Sequence, residues 1–226
     1  MISQLWAGVT WEDVYSWLFP LRDGLRINVT VTLITLLLGL PLGLLLAITV
    51  QSKSRLITWA SLIFVEIGRG TPALVLIQFM YFGLPQTGLT LSSFTAACLA
   101  LVVSTAAYTS EIIRAGLQAV PGGQHEAAQA LNFSTIDELR FVILPQGLRI
   151  ALPALLGFAI LVFQSTSLCF SIALPEILSR ANEIGSMTFH YFPAYSLVGA
   201  VFAAICIPGS IFVGWIEHRA GHGTQR

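Results

Sequence analysis

Charge is what this sequence has least of. Its 226 residues include eleven Lys and Arg and eleven Asp and Glu, 10% in all, for a formal net charge of zero. Soluble domains carry about 25% charged residues, so an ordinary soluble domain is excluded. No basic run exceeds two residues, which leaves no electrostatic footprint for nucleic acid. Cysteine is scarce as well. Cys98, Cys169 and Cys206 fall at irregular spacing inside apolar runs, where thiols act as small buried hydrophobes rather than as a disulfide framework or a metal site. The four histidines, His125, His190, His218 and His222, never share ligand spacing with a cysteine. Only His218 and His222 stand four apart, in a polar tail that reads as a solvated terminus rather than a zinc site. No Gly-x-Ser-x-Gly elbow, phosphate-cradling Gly-Lys-Thr loop or His-Glu-x-x-His pair occurs. The chain is therefore not expected to be an enzyme, and any nucleotide is expected on another subunit. The start lacks the basic n-region of a secretory signal.

Apolar sequence is abundant: 55% of residues are hydrophobic and the mean hydropathy is +0.80. Runs long enough to cross ~30 Å of hydrocarbon at 1.5 Å per residue predict an all-α membrane protein with about five spans. They cover roughly 28–50, 72–89, 91–119, 144–172 and 194–215, within one domain over 1–226. Lys53 and Arg55 between the first two spans, Arg140 between the third and fourth, and Arg219 and Arg226 after the fifth bias one side. Arg114 and Arg149 flank that side too, against Arg22, Arg26 and Arg180 opposite. The bias predicts a cytoplasmic C-terminus and an outer N-terminus. Trp11, Val14, Tyr15 and Leu18 share a helical face, which predicts a short interfacial helix within 1–23 on the outer side.

Four patches interrupt the apolar pattern. In "EIGRGTP", Gly70 and Pro72 break a helix, and Glu66 and Arg69 stand three apart as a structural ion pair. In "AYTSEIIRAG", Glu111 and Arg114 repeat that spacing, and Tyr108 one turn away is a candidate to line a cavity. "FQSTSL" puts Gln164, Ser165, Thr166 and Ser167 in the middle of the fourth span. Hydroxyls there can bond back to their own helix or glue helices together, whereas the Gln164 amide needs real partners. Helix packing and substrate contact stand level for this patch. The fourth patch, 121–143, is polar. Pro121, Gly122 and Gly123 predict a turn, Glu126 to Leu131 a short helix with a small face of Ala127, Ala128 and Ala130, and Asn132 its left-handed stop. Thr135-Ile-Asp-Glu138 reads as a capping box opening a second helix.

Together these stretches resemble, over nearly the whole chain, the permease subunits of bacterial ATP-binding cassette importers for polar amino acids, the family of histidine, glutamine, glutamate, arginine and opine permeases. "GGQHEAAQALNFSTIDELRFVILPQ" is similar to the family's Glu-Ala-Ala motif. Glu126, Ala127, Ala128, Val142, Leu144 and Pro145 fit it, and Gln124 and Gln146 match its flanking glutamines. Arg-Gly-Thr-Pro at 69–72, "AYTSEIIRAG" at 107–116 and Thr-Ser-Leu at 166–168 follow the family's order and spacing.

The resemblance implies a type I importer permease fold in the bacterial cytoplasmic (inner) membrane, surrounded by lipid. It implies a second permease subunit, identical or paralogous, and a pair of ATPase subunits that hold the ATP and magnesium, with no cofactor on this chain. It also implies a periplasmic or extracellular amino-acid-binding protein. Glu126, Ala127, Ala128 and Asn132 would form the coupling element, with Gly123 as its hinge. Tyr108, Gly157, Gln164, Ser165, Thr166 and Ser167 would be path candidates. The chain departs from the pattern at Asn132, where the motif has Gly. It departs again at Gln164-Ser165, where many relatives have Lys-Asp, and at Gly157, where they have Asn. The departures imply a neutral, hydrogen-bonding path surface. An ion-coupled secondary transporter and a non-transporting membrane assembly protein stay open as alternatives. The first is disfavoured because no inverted repeat is visible and Glu66 and Glu111 have Arg partners. The second is weighed down, less heavily, by the polar residues of the fourth span.

Overall fold

The computed structural model describes residues 6 and 8–221, so His222, Arg226 and the first five residues lie outside the described residues. Thr10 opens the first helix, α1 (Trp11–Thr49). Its N–H donates to Asp13 Oδ2 at 2.8 Å, and the Asp13 N–H donates to Thr10 Oγ1 at 3.2 Å. Two orphan donors of the helix end are thereby satisfied reciprocally.

The segment expected as a separate short helix within 1–23 and the first span are one element. The 39-residue α1 is about 58 Å long, nearly twice the hydrocarbon thickness. Trp11, Tyr15 and Leu18 are exposed, but the helix does not end with them. Although Pro20 intervenes, Trp17 and Leu21 on the other face are buried in a cluster with Ile177 and Ala181. That packing carries the helix through.

Next come α2 (Arg55–Gly70) and α3 (Ala73–Gln78). The break between them sits where Pro72 holds an extended backbone, φ −55° and ψ 137°. Proline also drives the preceding Thr71 out of helical geometry. Helix α3 passes into a π-helical turn, Phe79–Gly83, and a 3-10 turn, Leu84–Thr87. Then follow α4 (Ser93–Gln118), α5 (Gly122–Ala130) and the single turn α6 (Thr135–Asp137). A π-helical stretch, Glu138–Ile143, leads into α7 (Leu144–Ser165), which tightens to 3-10 over Thr166–Ile172. Helices α8 (Ile177–Thr188) and α9 (Tyr191–Gly221) follow within the described residues. Among the described residues four helical runs are long and apolar enough to cross a membrane, or five if α2 and the bent segment after it count as one broken span.

The chain divides into two compact units. The first draws on Met1–Leu37, Thr71–Val102 and Ile160–Ser210, around Val31, Ile77, Ala96, Cys169 and Ile172. Inside it lies a polar knot: Asn28, Thr166 and Glu176 are each 0% exposed. Asn28 Nδ2 donates to Thr166 Oγ1 at 2.8 Å and to Glu176 Oε2 at 3.1 Å, while Asn28 Oδ1 accepts from the Ile177 N–H at 3.0 Å. Glu176 caps α8 by accepting from the N–H groups of Ser179 and Leu178. Burial nevertheless pushes its carboxyl above the usual range.

The second unit, Leu38–Gly70, Val103–Ala159 and Ile211–Arg226, packs around Ala47, Ile113, Leu117, Val120 and Ile143. Helices α4 and α7 touch there backbone to backbone. A Cβ on Gly116 would stand 2.5 Å from the Gly147 carbonyl oxygen, and one on Gly147 would stand 2.8 Å from the Leu117 Cα. Small residues allow such close crossings in lipid, where packing and not the hydrophobic effect joins helices.

The polar knot generates the first prediction. Asn28→Ala leaves Glu176 and the Ile177 N–H short of partners, and each orphaned buried group costs about 1–3 kcal/mol. The thermal unfolding midpoint of the detergent-purified protein is expected to fall clearly. A change no larger than that of an exposed substitution such as Thr30→Ala would show that the knot is not structural.

Candidate functional site

The polar stretch between α4 and α7 folds into a closed corner. Helix α5 begins at Gly122, with Pro121 as its N-cap at φ −58° and ψ 137°. This corrects the expected start at Glu126. Gly122 and Gly123 are the first helical turn, not a turn before it. Neither glycine has positive φ, and a Cβ at either would meet nothing within 4 Å. Gly123 sits in ordinary helical geometry, tolerated at a cost of about 1 kcal/mol relative to Ala.

At the other end, Asn132 adopts φ 56°. Its N–H donates to the Gln129 carbonyl at 2.9 Å, and the Phe133 N–H donates to the Ala128 carbonyl at 3.1 Å. These are the two bonds of a Schellman stop. Ser134, in extended geometry, then caps α6: its Oγ accepts from the Asp137 N–H at 3.2 Å and donates to Asp137 Oδ2 at 2.6 Å. The capping box thus stands one residue earlier than the Thr135–Glu138 reading, because Ser134 is the residue the left-handed Asn132 leaves extended.

Freed from a capping role, Glu138 accepts from His125 of α5, Oε1 to Nδ1, at 2.5 Å. Gln146 Nε2 donates to Gln124 Oε1 at 3.1 Å. Two side-chain bonds therefore tie the first turns of α5 to the helix that follows. Ala128 is only 2% exposed, so it anchors α5 inward and is withdrawn from any surface. The outward side presents Glu126, Ala127 and Ala130, extended by Leu131, Phe133 and Ile136, which are 73%, 40% and 75% exposed. Sequence reasoning missed these three as surface. Their signal was available: large apolar side chains in a polar segment outside every span.

Each remaining candidate falls within one unit or the other. In the second unit, Arg69 does not pair with Glu66. Its Nη1 lies 3.7 Å from Glu111 Oε2. Arg114 grips the same carboxylate with two bonds, from Nε to Oε1 at 3.1 Å and from Nη2 to Oε2. Spacing of three permits either partner, but a carboxylate already held by a guanidinium fork keeps lone pairs for a second cation. Glu66 is exposed. The Tyr108 hydroxyl donates to the Arg69 carbonyl at 3.2 Å, and its ring stacks on Phe158 with centroids 5.6 Å apart. Gly157 beside Phe158 faces open space.

In the first unit, Ser165 and Ser167 donate back to the carbonyls of Leu161 and Gln164. Thr166 is removed from the path candidates, because it is fully buried between Asn28 and the Phe163 carbonyl. Gln164 is exposed, and its amide makes no hydrogen bond among the described residues.

Residues 39–222 match a family model described as the binding-protein-dependent transport system inner membrane component. A probable amino-acid ABC transporter permease of Bacillus subtilis, YckA, is 31% identical over 95% of this chain and 97% of its own. The arginine transport permease ArtQ of the same organism is 32% identical over 82% of this chain and 85% of its own. The histidine/lysine/arginine/ornithine permease HisM of Escherichia coli is 32% identical over 91% of this chain and 88% of its own. Among solved structures, an amino acid ABC transporter crystallised with histidines superposes with a TM-score of 0.87 at 31% identity, over 93% of this chain and 99% of that one. The methionine transporter MetNI, at 19% identity and a TM-score of 0.66, shares the fold.

The corner's geometry yields a second prediction. Asn132→Ala must hold a left-handed backbone at a cost of roughly 1–2 kcal/mol, whereas Asn132→Gly carries no such penalty. Thermal unfolding of the two variants should differ in that order. Equal stability would show that the stop at 132 does not depend on φ.

Proposed function

The chain belongs to the family of inner-membrane components of binding-protein-dependent transport systems, and from that premise we propose that it imports a polar amino acid or close derivative as one permease of an ATP-driven complex. The likeness over nearly full length to amino-acid permeases supports the cargo class. In this reading ATP and magnesium belong to a pair of ATPase subunits. A second permease completes the path, an external binding protein delivers cargo, and the C-terminus lies on the cytoplasmic side with α5.

Helix α5 is the coupling element. The observation that carries this is its closure: a short helix ended by the left-handed stop at Asn132, bonded through His125 and Gln124 to the next helix, with Glu126, Ala127 and Leu131 turned outward. An ATPase docked on that side pushes against a rigid corner, so its closure is transmitted to α7 as a rigid-body displacement. Small Ala127 and Ala130 allow close approach, and Leu131 and Ile136 offer apolar contacts at the edges. Asn132 contributes by stopping the helix and Ala128 by seating it. Tyr108 and Gly157 in one unit, and Gln164, Ser165 and Ser167 in the other, are the path candidates. All are neutral, which suits cargo held by hydrogen bonds and stacking.

Two substitutions test this reading. Glu126→Lys reverses a charge on the outward side without touching the caps. In proteoliposomes it should abolish ATP-driven uptake while the chain still inserts and folds, and normal uptake would remove α5 from coupling. Gln164→Leu should weaken cargo affinity about five- to tenfold, the worth of roughly one hydrogen bond. An unchanged affinity and uptake rate assigns Gln164 to packing instead.

A further inference from the structure

The second unit holds a cleft of about 640 Å³ beneath the α5 corner that none of the roles above uses. Its lining combines Ser52, Lys53 and Thr135 with the apolar Ile48, Ile57 and Ile143. Lys53 is exposed and makes no ion pair among the described residues. The first turn of α2 begins with Arg55 and contains no acidic residue, so two cations stand at the positive end of a helix with no acid in that turn to offset them. On the same helix as Ile57, Leu56, Trp59 and Ile63 are 81%, 64% and 56% exposed. A tryptophan beside basic residues at a helix start marks the headgroup level of a bilayer.

We propose that this cleft binds an anionic phospholipid. The phosphate sits against Lys53 with Ser52 and Thr135 as hydroxyl donors, and the first part of one acyl chain lies along Ile48, Ile57 and Ile143. An amphiphile is called for because the lining sets a cation and hydroxyl donors beside apolar side chains. A purely polar ligand would leave those apolar side chains unsatisfied. Basic side chains close to a bilayer surface attract anionic headgroups in this way. His125 and Glu138 line the same cleft, so its occupant rests against the bond that ties α5 down. A filled cleft holds that footing in place. This last consequence rests on the coupling role of α5, whereas lipid binding itself does not.

The test uses the complete importer, purified with its co-expressed partners. Retention of phosphatidylglycerol is read by native mass spectrometry, and ATP-driven uptake in vesicles of phosphatidylcholine with or without phosphatidylglycerol. The wild type should retain phosphatidylglycerol and transport faster in its presence. Lys53→Gln should reduce retention about fivefold, the factor one basic side chain contributes at an anionic surface, and Lys53→Arg should restore it. Ile57→Trp, which adds bulk to the cleft's apolar lining and keeps the charge, should lose retention as well. Three results would overturn the proposal: retention unaffected by Lys53→Gln, retention that survives Ile57→Trp, or full replacement of phosphatidylglycerol by inorganic phosphate. The last of these would assign the site to a soluble anion. Retention that follows the prediction without any change in uptake supports the lipid site and removes its effect on the α5 footing, whereas the coupling role itself fails only if Glu126→Lys transports normally, so the two failures are distinguishable.

Discussion

A nine-residue helix has too few hydrogen bonds to persist alone in water, since isolated helices below ~12–15 residues are marginal. Helix α5 therefore depends on what its ends and one face find outside it. Asn132 closes the C-terminal end by accepting a left-handed backbone, and Ser134 starts the next turn at once. His125 and Gln124 reach across to Glu138 and Gln146, and Ala128 fills the inward side. Each is a local bond of modest worth. Together they convert a polar interruption into a rigid corner, and rigidity is what a push from a docked ATPase requires.

The membrane portion answers a related constraint. With no water available, polar groups must find partners inside the protein. Asn28, Thr166 and Glu176 satisfy one another within one unit. Glu111 is shared by Arg114 and Arg69 within the other. Both clusters fix helices by charge or amide geometry where apolar packing alone would specify little. Outside these clusters, the exposed Gln164 amide and Lys53 beside its cleft make no hydrogen bond or ion pair among the described residues.

Features set by neighbouring residues were readable from sequence. The stop at Asn132, the break at Pro72 and the long apolar runs of α4, α7 and α9 all follow from local propensity or composition, and the structure has them. Features set by contacts distant in sequence were not. Helix α1 runs past Pro20 because Trp17 and Leu21 find Ile177 and Ala181. Arg69 turns to Glu111 because that carboxylate has a free lone pair. Thr166 is lost from the path because Asn28, 138 residues away, claims it. The cap at Ser134 and the seating of Ala128 lie between these cases. The residue types were right, but the register depended on where Gly122 placed the start of the helix.

The central claim is that α5 turns one side to the ATPase and keeps the other against its own chain. Cysteine cross-linking in the assembled importer reads this directly, and Cys98, Cys169 and Cys206 are buried and do not compete. A bifunctional maleimide should join Ala127→Cys to a cysteine placed on the ATPase surface facing the membrane. The neighbouring Ala128→Cys, turned inward, should remain unlinked. Linkage at Ala128→Cys without linkage at Ala127→Cys, or none at either position, would contradict the account.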